Sequence, residues 1–174
     1  ETGGGRLVPH LHVPMQSGSD AVLRAIARWV HERGNEPVAT HELPALMGVE
    51  DDVLTYASGL GLTLIAHAED AALVGGAVAT AGEIATRRGL PSAPAAAESI
   101  ALARDIALAE LANARIHFRQ VTTREGLEIV RAAKARGAKV TCGITPAHFM
   151  LSDLATVDFR TFARLSPPLR SEDD

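Results

Sequence analysis

Short apolar segments alternate with amphipathic helical segments along most of this 174-residue chain, and this alternation limits the possible folds more than any other feature. The clearest strand runs from Leu62 to His67 and is apolar almost throughout, as expected for a strand buried on both faces of a parallel sheet. The pattern predicts its strongest helix over residues 95–112, further strands over 116–121 and 140–144, and a helix over 123–136. Strand–helix alternation of this kind implies an α/β fold with right-handed crossovers and about five to six βα units.

Chain length sets the size of the sheet. A closed eight-stranded barrel needs about 250 residues, so the 174 residues here predict a partial (β/α) barrel with a mainly parallel sheet. Weaker patterns predict strands over 11–15, 36–40 and 162–165, and helices over 21–33, 50–58 and 71–88. Residues 1–5 are interpreted as a linker or cloning scar, 6–34 as an N-terminal βα unit, and 35–174 as the main segment of one compact domain.

Composition excludes several classes of function. The net charge is -4, and no basic stripe or aromatic platform is present, so nucleic acid is not expected as a partner. No apolar run reaches the roughly 18 residues of a membrane span, and no signal peptide is visible, so we expect a cytoplasmic protein without membrane contact. Cys142 is the only cysteine, which argues against an iron–sulfur cluster held by this chain.

Several motifs occur in one order from about residue 53 to 174. They are GLTLIAHAED (Gly61–Asp70), RRGLPSAPAAAESIALARDIALAE (Arg87–Glu110), RIHFRQVTT (Arg115–Thr123), KVTCGITPAHFML (Lys139–Leu151) and FARLSPPLR (Phe162–Arg170). Together they resemble the dihydroorotases of the amidohydrolase superfamily, and most of all a dihydroorotase-like branch of alphaproteobacteria.

The resemblance implies a zinc-dependent hydrolase of a cyclic amide, in which metal-bound hydroxide attacks a polarised carbonyl. It places His67 at the fifth-strand metal-ligand position, but Gln120 stands where the family has its sixth-strand His. Ser166, Arg170 and His148 fall at substrate-side positions, with Ser166 in place of an Asn. The family's catalytic Asp would follow Asp174, and no catalytic residue is assigned.

The N-terminal part carries a different resemblance. Residues 7–28, with HLHVPMQSGSDAVLRA (His10–Ala25), are similar to a strand–turn–helix of radical-SAM methylthiotransferases. The same segment has an His10-x-His12 pair, whose side chains project to one side of a strand as metal ligands would. Pro14 replaces the Arg that the dihydroorotase resemblance leads us to expect, and the two resemblances together suggest a chimeric or engineered chain.

Structural roles compete with these functional ones. His67 could be a hydrogen-bonded core residue, and Glu69 and Asp70 could either orient it or cap the next helix. Arg170 could contact an anion or be exposed, and His148 could contact a ligand or cap a helix. His117 is interpreted as a packing or outer-barrel residue. Cys142 is interpreted as a buried small hydrophobic residue.

Four functions therefore remain open. The chain is interpreted first as a dihydroorotase-like fragment. The reaction inherited from the family would be hydrolysis of dihydroorotate in pyrimidine biosynthesis, but the fragment alone is expected to be catalytically incompetent. It could instead be a non-catalytic partner of aspartate transcarbamoylase, a zinc amidohydrolase completed by self-association, or an engineered chimera with no selected activity. An incomplete barrel exposes two sheet edges, which predicts a homo-oligomer.

Overall fold

Four parallel strands form the main sheet of the computed structural model, which describes residues 10–12 and 50–174. Its strands are β1 (His10–His12), β2 (Thr63–Ala66), β5 (Arg115–Phe118) and β6 (Val140–Cys142), in the spatial order β1-β2-β5-β6. The register places Ala66 beside Phe118, and Phe118 beside Cys142. The carboxyl ends of all four strands therefore lie at one edge of the sheet, where α/β folds carry their sites.

The two faces of this sheet differ in burial. Leu64, Ala66, Ile116 and Phe118 are almost completely buried on the face that packs against the helices. Burial of the larger side chains, Leu64, Ile116 and Phe118, stabilises the fold by about 1.5–3 kcal/mol each. The opposite face, with Ile65 and His117, is only half-buried. His117 pairs with Ile65 in register, so the outer-barrel position predicted for His117 is wrong, because paired residues of parallel strands share a face.

Three long helices cover the buried face. They are α1 (Glu50–Gly59), α4 (Ala96–Leu111) and α5 (Arg124–Ala135). The hydroxyl of Thr123 accepts a hydrogen bond from the Gly126 amide at 3.0 Å and begins α5 as an N-cap. The helices predicted over 95–112 and 123–136 are confirmed, and so are the strands at 63–66, 115–118 and 140–142, with ends shifted by one to three residues.

Residues 71–93 differ from the single interrupted helix predicted over 71–88. They form α2 (Ala71–Val74), β3 (Ala79–Thr80), α3 (Glu83–Arg88) and β4 (Ser92–Ala93). Helix α2 ends after one turn at Gly75, whose φ of 48° lies outside the helical region. Glycine stands there because other residues rarely adopt a positive φ. The chain then extends so that β3 and β4 pair as a second, parallel sheet.

After β6 the described chain contains α6 (Pro146–Met150) and two 3-10 turns, Asp153–Thr156 and Thr161–Ala163. The strand predicted over 162–165 is wrong. The amides of Ala163 and Arg164 donate to carbonyls three residues earlier, so this segment forms a local 3-10 turn and pairs with none of the described strands. The helical turn that Pro146 was predicted to open is confirmed.

The predicted fold class, an α/β partial barrel with a mainly parallel sheet, is confirmed. The helix predicted over 21–33, the strand over 36–40 and the linker over 1–5 lie outside the described residues. Of the strand predicted over 11–15, only residues 11 and 12 are described, and both belong to β1. Within the described ranges, no helix combines the length and apolar character needed to cross a bilayer.

Candidate functional site

Four polar side chains meet at the carboxyl edge of the main sheet, and we call them the strand-end cluster: His67, Glu69, Arg119 and Ser166. His67 and Arg119 directly follow β2 and β5, and the Arg119 amide donates to the Ala66 carbonyl at 3.0 Å. The parallel register thus brings His67 and Arg119 side by side. Ser166 arrives from the end of the chain, just before a cis peptide bond to Pro167.

The hydrogen bonds of the strand-end cluster define the state of His67. Arg119 Nη2 lies 3.2 Å from His67 Nδ1, and a guanidinium can only donate, so Nδ1 accepts. His67 Nε2 then carries the proton and donates to Glu69 Oε2 at 2.6 Å. Ser166 Oγ donates to the same carboxylate oxygen, also at 2.6 Å. Both ring nitrogens of His67 are therefore engaged by charged neighbours.

Glu69 is the acid of this cluster, and its pKa reflects two opposing effects. Burial raises the pKa, but the hydrogen bonds from His67 and Ser166, with the charge of Arg170, outweigh burial. The pKa of Glu69 is therefore lowered from its usual value, and the carboxylate stays ionised near neutral pH. Asp70 has the other role considered for this pair, because its carboxylate accepts from the amides of Ala72 and Leu73 and caps α2.

Arg170 lies in a second group of polar residues, the buried cluster, which consists of Glu98, Arg170, Thr80, Thr122 and Thr123. Its guanidinium donates to Glu98 Oε2 at 3.3 Å, to Thr122 Oγ1 at 2.9 Å and to Thr80 Oγ1 at 3.0 Å. The side chain is only 6% exposed, so the exposed position considered for Arg170 is wrong. Its partners are protein groups that hold the end of the chain against α4.

His148 is half-buried and likewise holds the chain end. Its Nε2 donates to the Pro167 carbonyl at 2.7 Å, and its Nδ1 lies 2.7 Å from the Thr145 hydroxyl. Thr145, rather than His148, caps α6. His148 and Arg170 thus hold the two ends of the segment 167–170 in place. Ser166, which directly precedes this segment, lies in the strand-end cluster. Of the three predicted substrate-side residues, only Ser166 contacts His67.

The predicted metal ligands are only partly brought together. Strand β1 lies beside β2, with His10 opposite Thr63 and His12 opposite Ile65, but the side chains of β1 lie outside what the structure describes. In the described part of the chain, no group of three or more His, Cys, Asp or Glu side chains could hold a metal ion. Gln120 stands at the position of the family's sixth-strand His, and its Oε1 is buried with no hydrogen-bond partner among the described residues. A neutral amide oxygen is a poor zinc ligand. The described side chains do not fit a zinc ion.

Two charged residues of these clusters, Glu98 and Arg119, were not identified from the sequence. Glu98 has a signal, since it lies four, eight and eleven residues before Leu102, Ile106 and Ala109 on the buried face of α4. A carboxylate on such a face needs buried partners. Arg119 has a weaker signal, a charge immediately after an apolar strand. Cys142 packs against the core as a small hydrophobic residue, but it is half-buried and thus less buried than predicted.

Comparison with solved structures identifies the class of fold. The D-hydantoinase (dihydropyrimidinase) from Thermus sp. superposes with a TM-score of 0.67 at 24% identity, over 95% of this chain and 38% of that chain. The L-hydantoinase (dihydropyrimidinase) from Arthrobacter aurescens gives a TM-score of 0.69 at 18% identity, over 94% of this chain and 38% of its own. The fold is thus part of a barrel of the hydantoinase type.

Comparison of sequences narrows this class. A family model described as Dihydro-orotase-like matches residues 44–126. The dihydroorotase of Geobacter sulfurreducens is 48% identical over 121 residues, which are 70% of this chain and 28% of that protein. The dihydroorotase of Geobacter sp. (strain M21) is 49% identical over 121 residues, with the same coverage. The chain is homologous to dihydroorotases and spans 28% of the length of these relatives.

Proposed function

We propose that this chain is a dihydroorotase-type barrel segment that does not hydrolyse dihydroorotate by itself. The family comparison supports the inherited reaction, which opens the cyclic amide of dihydroorotate to carbamoyl aspartate. The hydrogen bonds of His67 at the strand ends support the absence of hydrolytic activity. His67 has its Nδ1 lone pair directed at Arg119 and its Nε2 proton directed at Glu69.

A single observation carries this proposal, namely the contact between Arg119 and His67. A hydrolytic zinc site needs about three protein ligands with free lone pairs and an open position for water. At the strand ends, a cation already faces the one lone pair of the His67 ring. The residues present hold a carboxylate, a hydroxyl and a guanidinium in a hydrogen-bonded arrangement that needs no metal.

The proposal is tested by following dihydroorotate formation and hydrolysis by ultraviolet absorbance, with and without added zinc. We expect no turnover above the uncatalysed rate, whether or not zinc is added. A His67→Ala variant, measured in parallel, should give the same trace. Zinc-dependent turnover by the unaltered chain that disappears in His67→Ala would overturn the proposal and establish a working hydrolase.

We also propose that two copies of the chain associate through their sheet edges. Among the described residues, β1 and β6 each pair with one neighbouring strand, so each leaves a row of backbone groups unpaired by the sheet. Side chains that follow β6 closely, Ile144, Phe149 and Met150, are exposed and apolar. Four parallel strands are half of a closed eight-stranded barrel. A twofold axis would pair β6 of each copy with β1 of the other.

Light scattering during gel filtration tests this association. We expect a mass of about twice 18.3 kDa at micromolar concentration. Phe149→Glu, at a side chain that is 76% exposed, should shift the mass toward the monomer. The matched control is Leu111→Glu at the end of α4, because Leu111 is 74% exposed but lies away from β6 in the chain. A monomeric mass for the unaltered chain, or equal effects of both variants, contradicts the proposed dimer.

The association with aspartate transcarbamoylase stays a prediction, for which co-purification is the measurement.

A further inference from the structure

Arg119 is the only member of the strand-end cluster whose side chain has a single hydrogen bond within the described residues, and that bond goes to His67 Nδ1 at 3.2 Å. The guanidinium is otherwise exposed. A side chain of this kind contributes little to folding, because substitutions of exposed surface residues change stability only slightly. Its position against the imidazole lone pair nevertheless has a definite chemical consequence.

Metal binding by a histidine requires an unprotonated ring nitrogen with a free lone pair. Since a guanidinium has no acceptor and stays protonated in proteins, Arg119 directs an N–H at Nδ1 under all ordinary conditions. The proton is thereby placed on Nε2, where Glu69 Oε2 accepts it at 2.6 Å. A cation at Nδ1 would also face the positive charge of Arg119 at close range.

Glu69 cannot compensate for this arrangement. Its Oε2 accepts from both His67 and Ser166 at 2.6 Å, so a metal at that oxygen would have to displace two short hydrogen bonds. Gln120 offers only a neutral amide oxygen. Of the groups near His67, Arg119 is therefore the one whose removal frees a good nitrogen ligand without disturbing the buried cluster.

We infer that Arg119 is a specificity-determining residue that excludes divalent metal ions from His67 by occupying its Nδ1 lone pair and supplying the positive charge itself. Arg119 is a positioning residue in this account, since it acts through the tautomer of His67. The inference rests on the proposed loss of hydrolytic activity, but it concerns metal affinity rather than turnover.

Zinc titration by calorimetry on chelator-treated protein tests the inference. Arg119→Ala should raise the zinc affinity at least tenfold over the unaltered chain. Arg119→Lys, which still offers a charged donor, should keep the affinity low. The double variant His67→Ala/Arg119→Ala should lose the gain.

Arg115→Ala is the matched control. Arg115 is the first residue of β5, four residues before Arg119. It is exposed and donates to the Gly61 carbonyl at the opposite end of the sheet. Its removal changes the net charge equally, so it should leave zinc affinity unchanged.

Nitrogen-15 NMR of the imidazole gives an independent measurement. Spectra of the unaltered chain should show His67 protonated at Nε2, and Arg119→Ala should shift its Nδ1 resonance on addition of zinc. Arg119→Met, which offers no donor to Nδ1, serves if the alanine variant does not fold. The inference fails if zinc affinity is equal in the unaltered chain, Arg119→Ala and Arg119→Met, or if the unaltered chain already binds zinc through His67. Turnover of dihydroorotate by the unaltered chain would instead refute the proposed function.

Discussion

The buried cluster around Glu98 and the strand-end cluster around His67 lie at the same edge of the sheet but differ in completeness. Glu98 is 0% exposed and accepts hydrogen bonds from two backbone amides, two hydroxyls and the Arg170 guanidinium. Glu69 accepts from one imidazole and one hydroxyl, next to the exposed side chains of Arg119 and Ser166. One carboxylate is saturated by the fold, and the other is held by groups that solvent reaches.

This difference separates folding from function. A buried charge is tolerated only when its partners satisfy it, and Glu98 accordingly ties α4, the turn before α5 and the end of the chain together. The strand-end cluster carries a weaker requirement, because the side chains of Arg119 and Ser166 are exposed and that of His67 is 22% exposed, although that of Glu69 is only 9% exposed. Its residues can therefore vary in chemistry with less loss of stability than those of the buried cluster.

The largest effect is expected from Glu98→Ala. The substitution leaves Arg170 buried without its carboxylate and the amides of Thr122 and Thr123 without their acceptor, so the free energy of unfolding should fall by about 3–5 kcal/mol. Urea denaturation followed by circular dichroism measures it. Glu110→Ala on the same helix, which removes a more exposed ion pair with Arg136, should cost less than about 1 kcal/mol. Equal losses in both variants would mean that the buried cluster does not stabilise the fold.

Gly126→Ala should give the next largest effect. A Cβ on Gly126 would lie 2.8 Å from Glu98 Oε1, 2.8 Å from Leu102 Cδ1 and 2.8 Å from Thr123 Oγ1. Since these atoms belong to a closely packed interior, we expect a loss of about 1–3 kcal/mol in the free energy of unfolding. Gly59→Ala in α1, where nothing lies within 4 Å of the new Cβ, should instead be neutral or slightly stabilising. A neutral Gly126→Ala would show that Glu98 can shift within its cluster.

The same division explains how much the sequence could predict. The strand at Thr63–Ala66 and the helix at Ala96–Leu111 follow from local apolar periodicity, which tertiary packing then reinforces. The helix predicted over 71–88 was wrong because the apolar residues of this region have helical spacing, whereas Gly75 and the pairing of β3 with β4 determine its structure. Phe162 is apolar but exposed, and an apolar residue alone does not make a strand.

Site residues could be predicted where their position in the sequence indicates their role. They could not be predicted where the role depends on contacts with residues distant in the sequence. His67 was found from its place at the end of β2, and its neighbour Glu69 from proximity in sequence. Arg170 and His148 were placed at the substrate side, but their roles depend on Glu98 and Pro167, which lie 72 and 19 residues away. Such contacts follow from the three-dimensional register and not from local pattern.

The smallest effect concerns pH and tests the exposed side of the comparison. Because the folded-state pKa of Glu69 is lowered, its carboxylate contributes stability above its usual pKa of 4.5, and this contribution is lost as the pH falls through the lowered value. Glu69→Gln should therefore cost less than about 1 kcal/mol at neutral pH, and the difference from the unaltered chain should close in acid below 4.5. Chemical denaturation at a series of pH values measures the difference. Glu83→Gln, at an exposed ion pair with Arg87 in α3, should stay within about 0.5 kcal/mol at every pH. A Glu69 difference as large as that of Glu98→Ala would place both carboxylates in one structural network and remove the distinction between the clusters.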